Sequence, residues 1–464
     1  MAIVATLKTF KGGHYFSRFE GTPKGRITSV PLPKEVHVPL RQGYGEEAAP
    51  LVEVGAQVKT GEIIARSDGA ISTPVHAPIS GEVVGIEERP HPVDGGLTTF
   101  VTIRSDGRDE WQPLDVPKGN FERWGAEELG RILYESGVSA LGKAGFPTPL
   151  RSSAAEPHEI RYLLINAVET EPYLQGDLAL LHEEFEKFLT GTKILKGALG
   201  NIEVHVGLSH DRPHLLEELE NRMEYHDWLF LHPLLPKYPQ GTDEVLIKTL
   251  LDLEVPSGEP ATAIGVVVCD TQQVIAAYEA VVEGKPLVER VISVGGSAVE
   301  RPANVRVRVG TPVGELLKGF GHKTPSRVIL GGPMRGRSVS DVEAPILRDI
   351  RALIALREPA GRLLGGIRPG LPFFRREKRA TTGLNGAPRP CIHCGYCLDV
   401  CPQNLFPIWL AEAAQEGDLK QMEALDLFAC IECGLCSYVC PSKIPIMERI
   451  QQGKRLTCEE RLEE

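Results

Sequence analysis

Eight of the chain's ten cysteines lie between Cys391 and Cys440, in two copies of one pattern. The run "CIHCGYCLDVCP" sets Cys391, Cys394, Cys397 and Cys401 at x2, x2 and x3 spacing ahead of Pro402. "CIECGLCSYVCP" repeats it with Cys430, Cys433, Cys436, Cys440 and Pro441. Thiolates are soft ligands for iron, and four of them can enclose a 4Fe–4S cubane. A tight loop supplies three, while the fourth, next to the proline, turns away and serves the other cluster. That logic assigns Cys391, Cys394, Cys397 and Cys440 to one 4Fe–4S cluster, and Cys430, Cys433, Cys436 and Cys401 to a second. Zinc is the competing reading, but zinc sites pair two Cys-x-x-Cys units or recruit His, and do not need this run twice. His393, between two of the ligands, is expected to point outward and hold no metal. Cys269 follows an apolar run and reads as core, and Cys458 lies in the polar tail. Two such clusters carry single electrons, which implies a donor and an acceptor.

The rest of the composition bounds where those electrons travel. At 464 residues the chain is too long for one core and is expected to form several domains. Its 42% hydrophobic and 24% charged residues are those of a soluble globular protein. No apolar run approaches the ~20 residues a membrane-spanning helix needs, and the N-terminus has no secretory pattern. The expected location is therefore a reducing cytosol, where disulfides are rare. A net charge of −11 argues against nucleic-acid binding.

The elements that must position the chemistry change character along the chain. Residues 1–35 form a Gly/Pro-rich lead-in. Residues 36–120 carry short alternating strands whose phrases "VEVGAQVKTGEIIA" and "VHAPISGEVVGI" resemble the halves of a biotinyl/lipoyl-type barrel sandwich. The turn that presents a modifiable lysine in such carriers matches Asp68-Gly69-Ala70, so the amine is missing and docking is expected instead. Residues 121–285 alternate strands near 161–167, 202–208, 227–233 and 263–270 with helical stretches, which predicts a parallel sheet with covering helices. Ligands in such sheets gather at the carboxyl ends of the strands. Residues 286–350 read as a small β-grasp-like module with a short helix at "PVGELLKGF". Residues 351–388 read as a linker with a basic cluster, Arg375-Arg376 and Lys378-Arg379, and 389–464 hold the cysteine motifs.

The ordered series "LGKAGFPT", "LLINAVETEPYLQGD", "YPQGTDEVLI", "VPSGEPA", "GGPMRG" and the twin cysteine runs resembles the C subunit of the Rnf electron-transport complex, over nearly the whole chain. The core is also similar to the NADH-oxidising flavoprotein subunit of respiratory complex I and to the A subunit of the sodium-pumping NADH:quinone reductase. The resemblance implies a multidomain α/β protein. Its parts would be a barrel-sandwich N-terminal domain, a Rossmann-like FMN/NADH-type α/β domain, a β-grasp (SLBB-like) module and a two-cluster ferredoxin-like, α-helical C-terminal domain. It implies FMN against a loop of Gly142, Lys143, Ala144, Gly145 and Phe146, with Asn166, Glu169, Glu171 and Asp177 from a second loop. Glycines allow close backbone approach, and N–H groups at a helix start hold a phosphate. Family loops read Gly-x-Gly-Gly-Ala-Gly-Phe-Pro, whereas Ala140 and Lys143 stand here in place of the first and third glycines.

Two functions follow from the resemblance. In the first, NAD(H) exchanges a hydride with FMN, and the two clusters relay the electrons within a membrane complex. In the second, the nucleotide site is lost and the clusters link a soluble redox partner to that complex. Both imply partners among the other subunits of a membrane electron-transport complex, with a ferredoxin or similar redox protein as a further candidate. Both also imply a place on the cytoplasmic face of the membrane. No catalytic side chain is assigned.

Overall fold

The computed structural model describes residues 7–463 apart from 18, 43–46, 68–72, 94, 139–159, 201, 212, 224–226, 325 and 358–386. The glycine loop from Gly142 to Phe146, the Asp68-Gly69-Ala70 turn and the basic cluster at 375–379 fall outside the described residues.

Four bodies of secondary structure follow one another. In the first, Glu35–Pro39, Leu97–Ser105, Gly81–Pro90 and Gln57–Val58 form an antiparallel sheet in that order. A smaller sheet of Ala49–Pro50, Ile63–Arg66 and Val75–His76 faces it. Inward-pointing Val36, Val38, Ile64, Ile79, Val83, Val101 and Ile103 close the sandwich between them.

Next comes a four-stranded parallel sheet ordered Leu229–Leu234, Glu203–Ser209, Tyr162–Ala167, Val266–Asp270. All four strands fall where the sequence predicts them, to within a few residues at their ends. Successive residues of a strand face opposite sides, and both sides are covered, so "YLLINA" is apolar nearly throughout. Leu163 and Ile165 pack under the helices Ala126–Glu135, Phe185–Leu199 and Thr271–Val282, while Leu164 meets Leu246 and Leu250 of Asp243–Leu251. The chain runs outward from Tyr162–Ala167 through two strands and returns to its other side with Val266–Asp270. The strand order thus reverses between these two neighbours, which is where open α/β sheets bind ligands.

The third body is a mixed six-stranded sheet, ordered Ile27–Ser29, Ala303–Arg308, Glu289–Gly295, Ala352–Arg357, Ser326–Leu330, Arg337–Val339. The helix Val313–Phe320 packs on it through Leu316 and Leu317, as "PVGELLKGF" predicts. Two expectations shift here. The lead-in lacks periodicity in sequence, yet Ile27–Ser29 pairs in parallel with Asn304–Arg306. Ala352–Arg357, expected as the start of a linker, is instead an internal strand between Glu289–Gly295 and Ser326–Leu330. Its sequence "ALIALR" is almost wholly apolar, as a strand covered on both faces must be.

The last body is helical. Pro407–Glu416, Leu419–Ala424 and Ile446–Glu463 enclose Leu410, Ala411, Ala414, Met422, Leu427 and Ile450. The cysteine loops sit against this core. Among the described residues no helix is long and apolar enough to cross a membrane.

Candidate functional site

The two cysteine runs adopt the same backbone. His393 and Glu432 both have positive φ, at 53° and 54°, and Gly395 and Gly434 are both at 77°. Each loop then enters a short helix, Tyr396–Asp399 or Leu435–Val439, that begins just before the third cysteine of its loop. His393 is exposed, as expected for a residue between ligands.

The fourth cysteines cross over. One cavity of about 190 Å³ is lined by Cys391, Cys394 and Cys397 together with Cys440. A second, smaller one is lined by Cys430, Cys433 and Cys436 together with Cys401. Hydrogen bonds hold the crossing in place. Arg389 N–H donates to Ser442 O at 2.8 Å, and Ser442 Oγ donates to Pro390 O at 2.9 Å. These bonds lay the segment after Cys440 beside the first loop. No three His, Cys, Asp or Glu side chains among the described residues converge on a single ion. A cubane, with one thiolate on each of four irons, asks for a wider set, and the four-cysteine lining of each cavity fits it. The outer cavity is rimmed by exposed Ile392, Tyr396, Phe406 and Trp409, whereas the inner one is shut in by Ile431 and Leu435.

The second group of predicted residues gathers at the strand-order reversal. Asn166, at the end of its strand, is buried; its Nδ2 donates to Gly241 O at 2.9 Å, and its Oδ1 accepts from Val168 N–H at 3.2 Å. Glu169 accepts from Leu178 N–H at 3.0 Å and so satisfies the start of the helix Gly176–Glu183. Glu171 accepts from Met334 N–H at 2.8 Å and Arg335 N–H at 3.3 Å. That approach requires Gly332, because a Cβ there would lie 2.0 Å from Glu171 Oε1. Asp177 is 1% exposed. It accepts from Gln272 Nε2 at 2.7 Å and is ion-paired to Arg351. Arg351 also lies 3.7 Å from Asp270, which caps the helix Thr271–Val282.

Each of these three carboxylates therefore has a partner inside the protein, and much of that company comes from the six-stranded module. Arg351, Met334 and Arg335 belong to it. Gln272 bonds Val291 in both directions, and Gln175 N–H donates to Ser293 Oγ at 2.9 Å. Sequence reading missed Arg351, Asp270, Gln272 and Gly241. Only "YPQGTDEVLI", already conspicuous as a motif, offered a signal for Gly241. Three buried polar atoms at or just beyond the carboxyl edge of the sheet, Ser209 Oγ, Gln240 Oε1 and Thr271 Oγ1, have no hydrogen-bond partner in the protein. Such orphans suit a polar ligand that supplies hydroxyls and phosphate oxygens, as FMN does.

Burial pushes the Glu171 carboxyl up to about 7. Glu169 is raised first by burial and then by the neighbouring charge of Asp177. Burial works against the Arg351 charge, but Asp177, Asp270 and Glu169 outweigh it and hold the guanidinium protonated. A carboxyl raised in the folded state favours folding below its ordinary value, and that contribution is lost as pH rises through the folded value. The unliganded chain should therefore lose stability as pH rises from about 4.5 to about 7. Glu171→Gln should flatten that fall by about 2 kcal/mol. Urea denaturation at the two ends of the range measures it; an unchanged slope means that Glu171 is not the titrating group.

Comparisons with known proteins agree along the chain. Residues 8–108 match the RnfC barrel sandwich hybrid domain, 133–279 the Nuo51 FMN-binding domain, 291–341 the NQRA C-terminal domain and 390–444 a 4Fe-4S dicluster domain. The C subunit of the ion-translocating oxidoreductase complex of Rhodobacter capsulatus is 32% identical over 93% of this chain and 80% of its own length. Its counterpart in the proton-translocating ferredoxin:NAD(+) oxidoreductase complex of Clostridium ljungdahlii is also 32% identical, over 89% and 86%. The counterpart in the Na(+)-translocating ferredoxin:NAD(+) oxidoreductase complex of Acetobacterium woodii is 30% identical, over 88% and 87%. With its FMN-binding and dicluster domains in the same order as its motifs, the chain belongs to the RnfC family, the C subunits of ion-translocating oxidoreductase complexes.

Proposed function

We propose that this chain passes electrons between NAD(H) and the membrane-bound part of an Rnf-type complex, through FMN and two 4Fe–4S clusters. The observation that carries this reading is the pairing of two four-cysteine cavities with a ligand edge whose Glu171 is held by Met334, a member of the buried cluster that contains Cys433. When bound, FMN would supply two-electron hydride exchange with one-electron release, and the clusters one-electron carriage.

The chain's own residues do the positioning. Cys391, Cys394, Cys397 and Cys440 would hold the outer cluster, and Cys430, Cys433, Cys436 and Cys401 the inner one. The family resemblance assigns Gly142, Lys143, Ala144, Gly145 and Phe146, outside the described residues, to the loop that would hold FMN. Ser209, Gln240 and Thr271 would present polar groups to it, and Asn166 would add the second N–H and lone pair that its bonds to Gly241 and Val168 leave over. Glu169, Glu171 and Asp177 act one step back, fixing the loop after Asn166 through backbone N–H groups, Gln272 and Arg351. The exposed apolar rim of Ile392, Tyr396, Phe406 and Trp409 is where a neighbouring subunit, or a ferredoxin-like protein, takes over the electron. The organisation into units at 36–120, 121–285, 286–350 and 389–464 belongs to this proposal, with the third extended through Arg357. So does a place on the cytoplasmic face.

The test is an anaerobic preparation of the full chain, with iron counted and acid-released flavin assayed. About eight irons per chain, one flavin, and bleaching of the cluster absorbance by NADH are expected. Eight irons without flavin or NADH response would instead support a conduction role with the nucleotide site lost. The internal engagement of all three carboxylates is the observation that keeps that reading in play. Zinc in place of iron would end both.

A further inference from the structure

The lead-in segment around "FKGGHYFSRF" does more than reach the six-stranded sheet. It runs between the α/β sheet and the cysteine loops. His14 and Tyr238 exchange backbone hydrogen bonds of 2.8 and 2.9 Å, and Gly13 N–H donates to Val400 O at 2.9 Å. A Cβ on Gly12 would lie 2.8 Å from Cys401 O, so the strap rests directly on the crossover cysteine. Phe16 packs against Tyr238 and Tyr438, with ring centroids 5.6 and 5.2 Å apart.

Tyr238 stands at the centre of this seam. It is 3% exposed, and its hydroxyl donates to Cys433 O at 2.6 Å. It shares one buried cluster with Met334, Ile431, Cys433 and Leu435. Met334 is also the residue whose N–H holds Glu171. One continuous set of contacts therefore runs from the carboxylate loop through Met334 and Tyr238 to the inner cysteine loop, with the strap resting on Cys401.

We propose that Tyr238, braced by Gly12 and Gly13, is a positioning residue that locks the inner cluster loop onto the α/β sheet and raises that cluster's reduction potential. The inference rests on the cluster ligation proposed above. The physical reason is that a donor on the carbonyl of a ligand cysteine draws electron density away from the cluster and favours its reduced, more negative state. At the outer loop the buried Ser442 hydroxyl donates to Pro390 O, one residue before Cys391 and not to a ligand cysteine's carbonyl, while Cys391 Sγ receives His393 N–H from within the loop itself.

The experiment is a redox titration of the full, anaerobically reconstituted chain followed by electron paramagnetic resonance, comparing Tyr238→Phe with the parent. The expected result is unchanged iron at about eight per chain and a lower potential for one cluster only. The ratio of reduced to oxidised inner cluster at a fixed poise should fall by up to about tenfold, which is about 59 mV for one electron. Eight irons with both potentials and both spectra unchanged overturns the proposal. Four irons in the parent chain overturns the ligation reading instead. Should Tyr238→Phe fail to accumulate, Gly12→Ala tests the same seam, because its Cβ must displace Cys401 O. It should alter the inner spectrum and leave the outer one alone, and an unaltered inner spectrum overturns the proposal.

Discussion

Cys394→Ser together with Cys401→Ser should strip both clusters from the chain, whereas Cys394→Ser with Cys440→Ser should remove only one. The first pair takes a lining cysteine from each cavity, since Cys401 lines the cavity of the second motif. The second pair takes two lining cysteines from one cavity, because Cys440 lines the cavity of the first. Iron should fall from about eight per chain to near zero in the first case and to about four in the second. Ligation within each motif would give the opposite outcome. The crossed arrangement also ties the two halves of the helical body together, so the first pair should cost far more stability. Cluster binding is folding free energy when the ligands are not preassembled in the unfolded chain. Thermal unfolding of the two double variants under anaerobic conditions reads that difference.

Arg351→Ala should destabilise the chain by about 3–5 kcal/mol, the usual result of leaving a buried ionic partner alone. Asp177 is almost entirely buried, and its partners are Arg351 and Gln272. Without the guanidinium, Asp177 must take up a proton or keep an uncompensated charge. Burial already raises its pKa, and Arg351 is the main opposing influence. Combining Arg351→Ala with Asp177→Asn should recover much of the loss, since an amide asks for no counter-charge and can still accept from Gln272. Urea midpoints of the two single variants and the double variant decide it. Additive losses would mean that the pair contributes little as a pair. The cost should be felt at the ligand edge as well, because Arg351 approaches Asp270 and Asp177 from a different unit of the chain.

How much of this was legible in advance depended on range. The parallel strands were readable because each is a short apolar run followed by an amphipathic helix, and both signals are local. Ala352–Arg357 was not, because "ALIALR" abuts a Gly/Arg/Pro-rich stretch and only its pairing with strands some twenty to sixty residues away makes it internal. Ile27–Ser29 escaped for the same reason: three residues carry no period, and their pairing with Asn304–Arg306 is purely tertiary. Asn166, Glu169, Glu171 and Asp177 stand together in one motif, which is local. What holds the carboxylates was not found, because Met334 lies 163 residues after Glu171 and Arg351 lies 174 residues after Asp177.

The cysteine spacing by itself determined the cluster chemistry, since three ligands within seven residues can close on one cubane only through a tight local loop. The order of motifs by itself determined the family. Tertiary structure decided what spacing cannot express. It brought each fourth cysteine to the opposite loop, paired Asp177 with an arginine from another module, and laid an unpatterned glycine strap against Cys401. Those are contacts between segments far apart in the chain, set by how the sheets and helices pack, and no local pattern of residues encodes them.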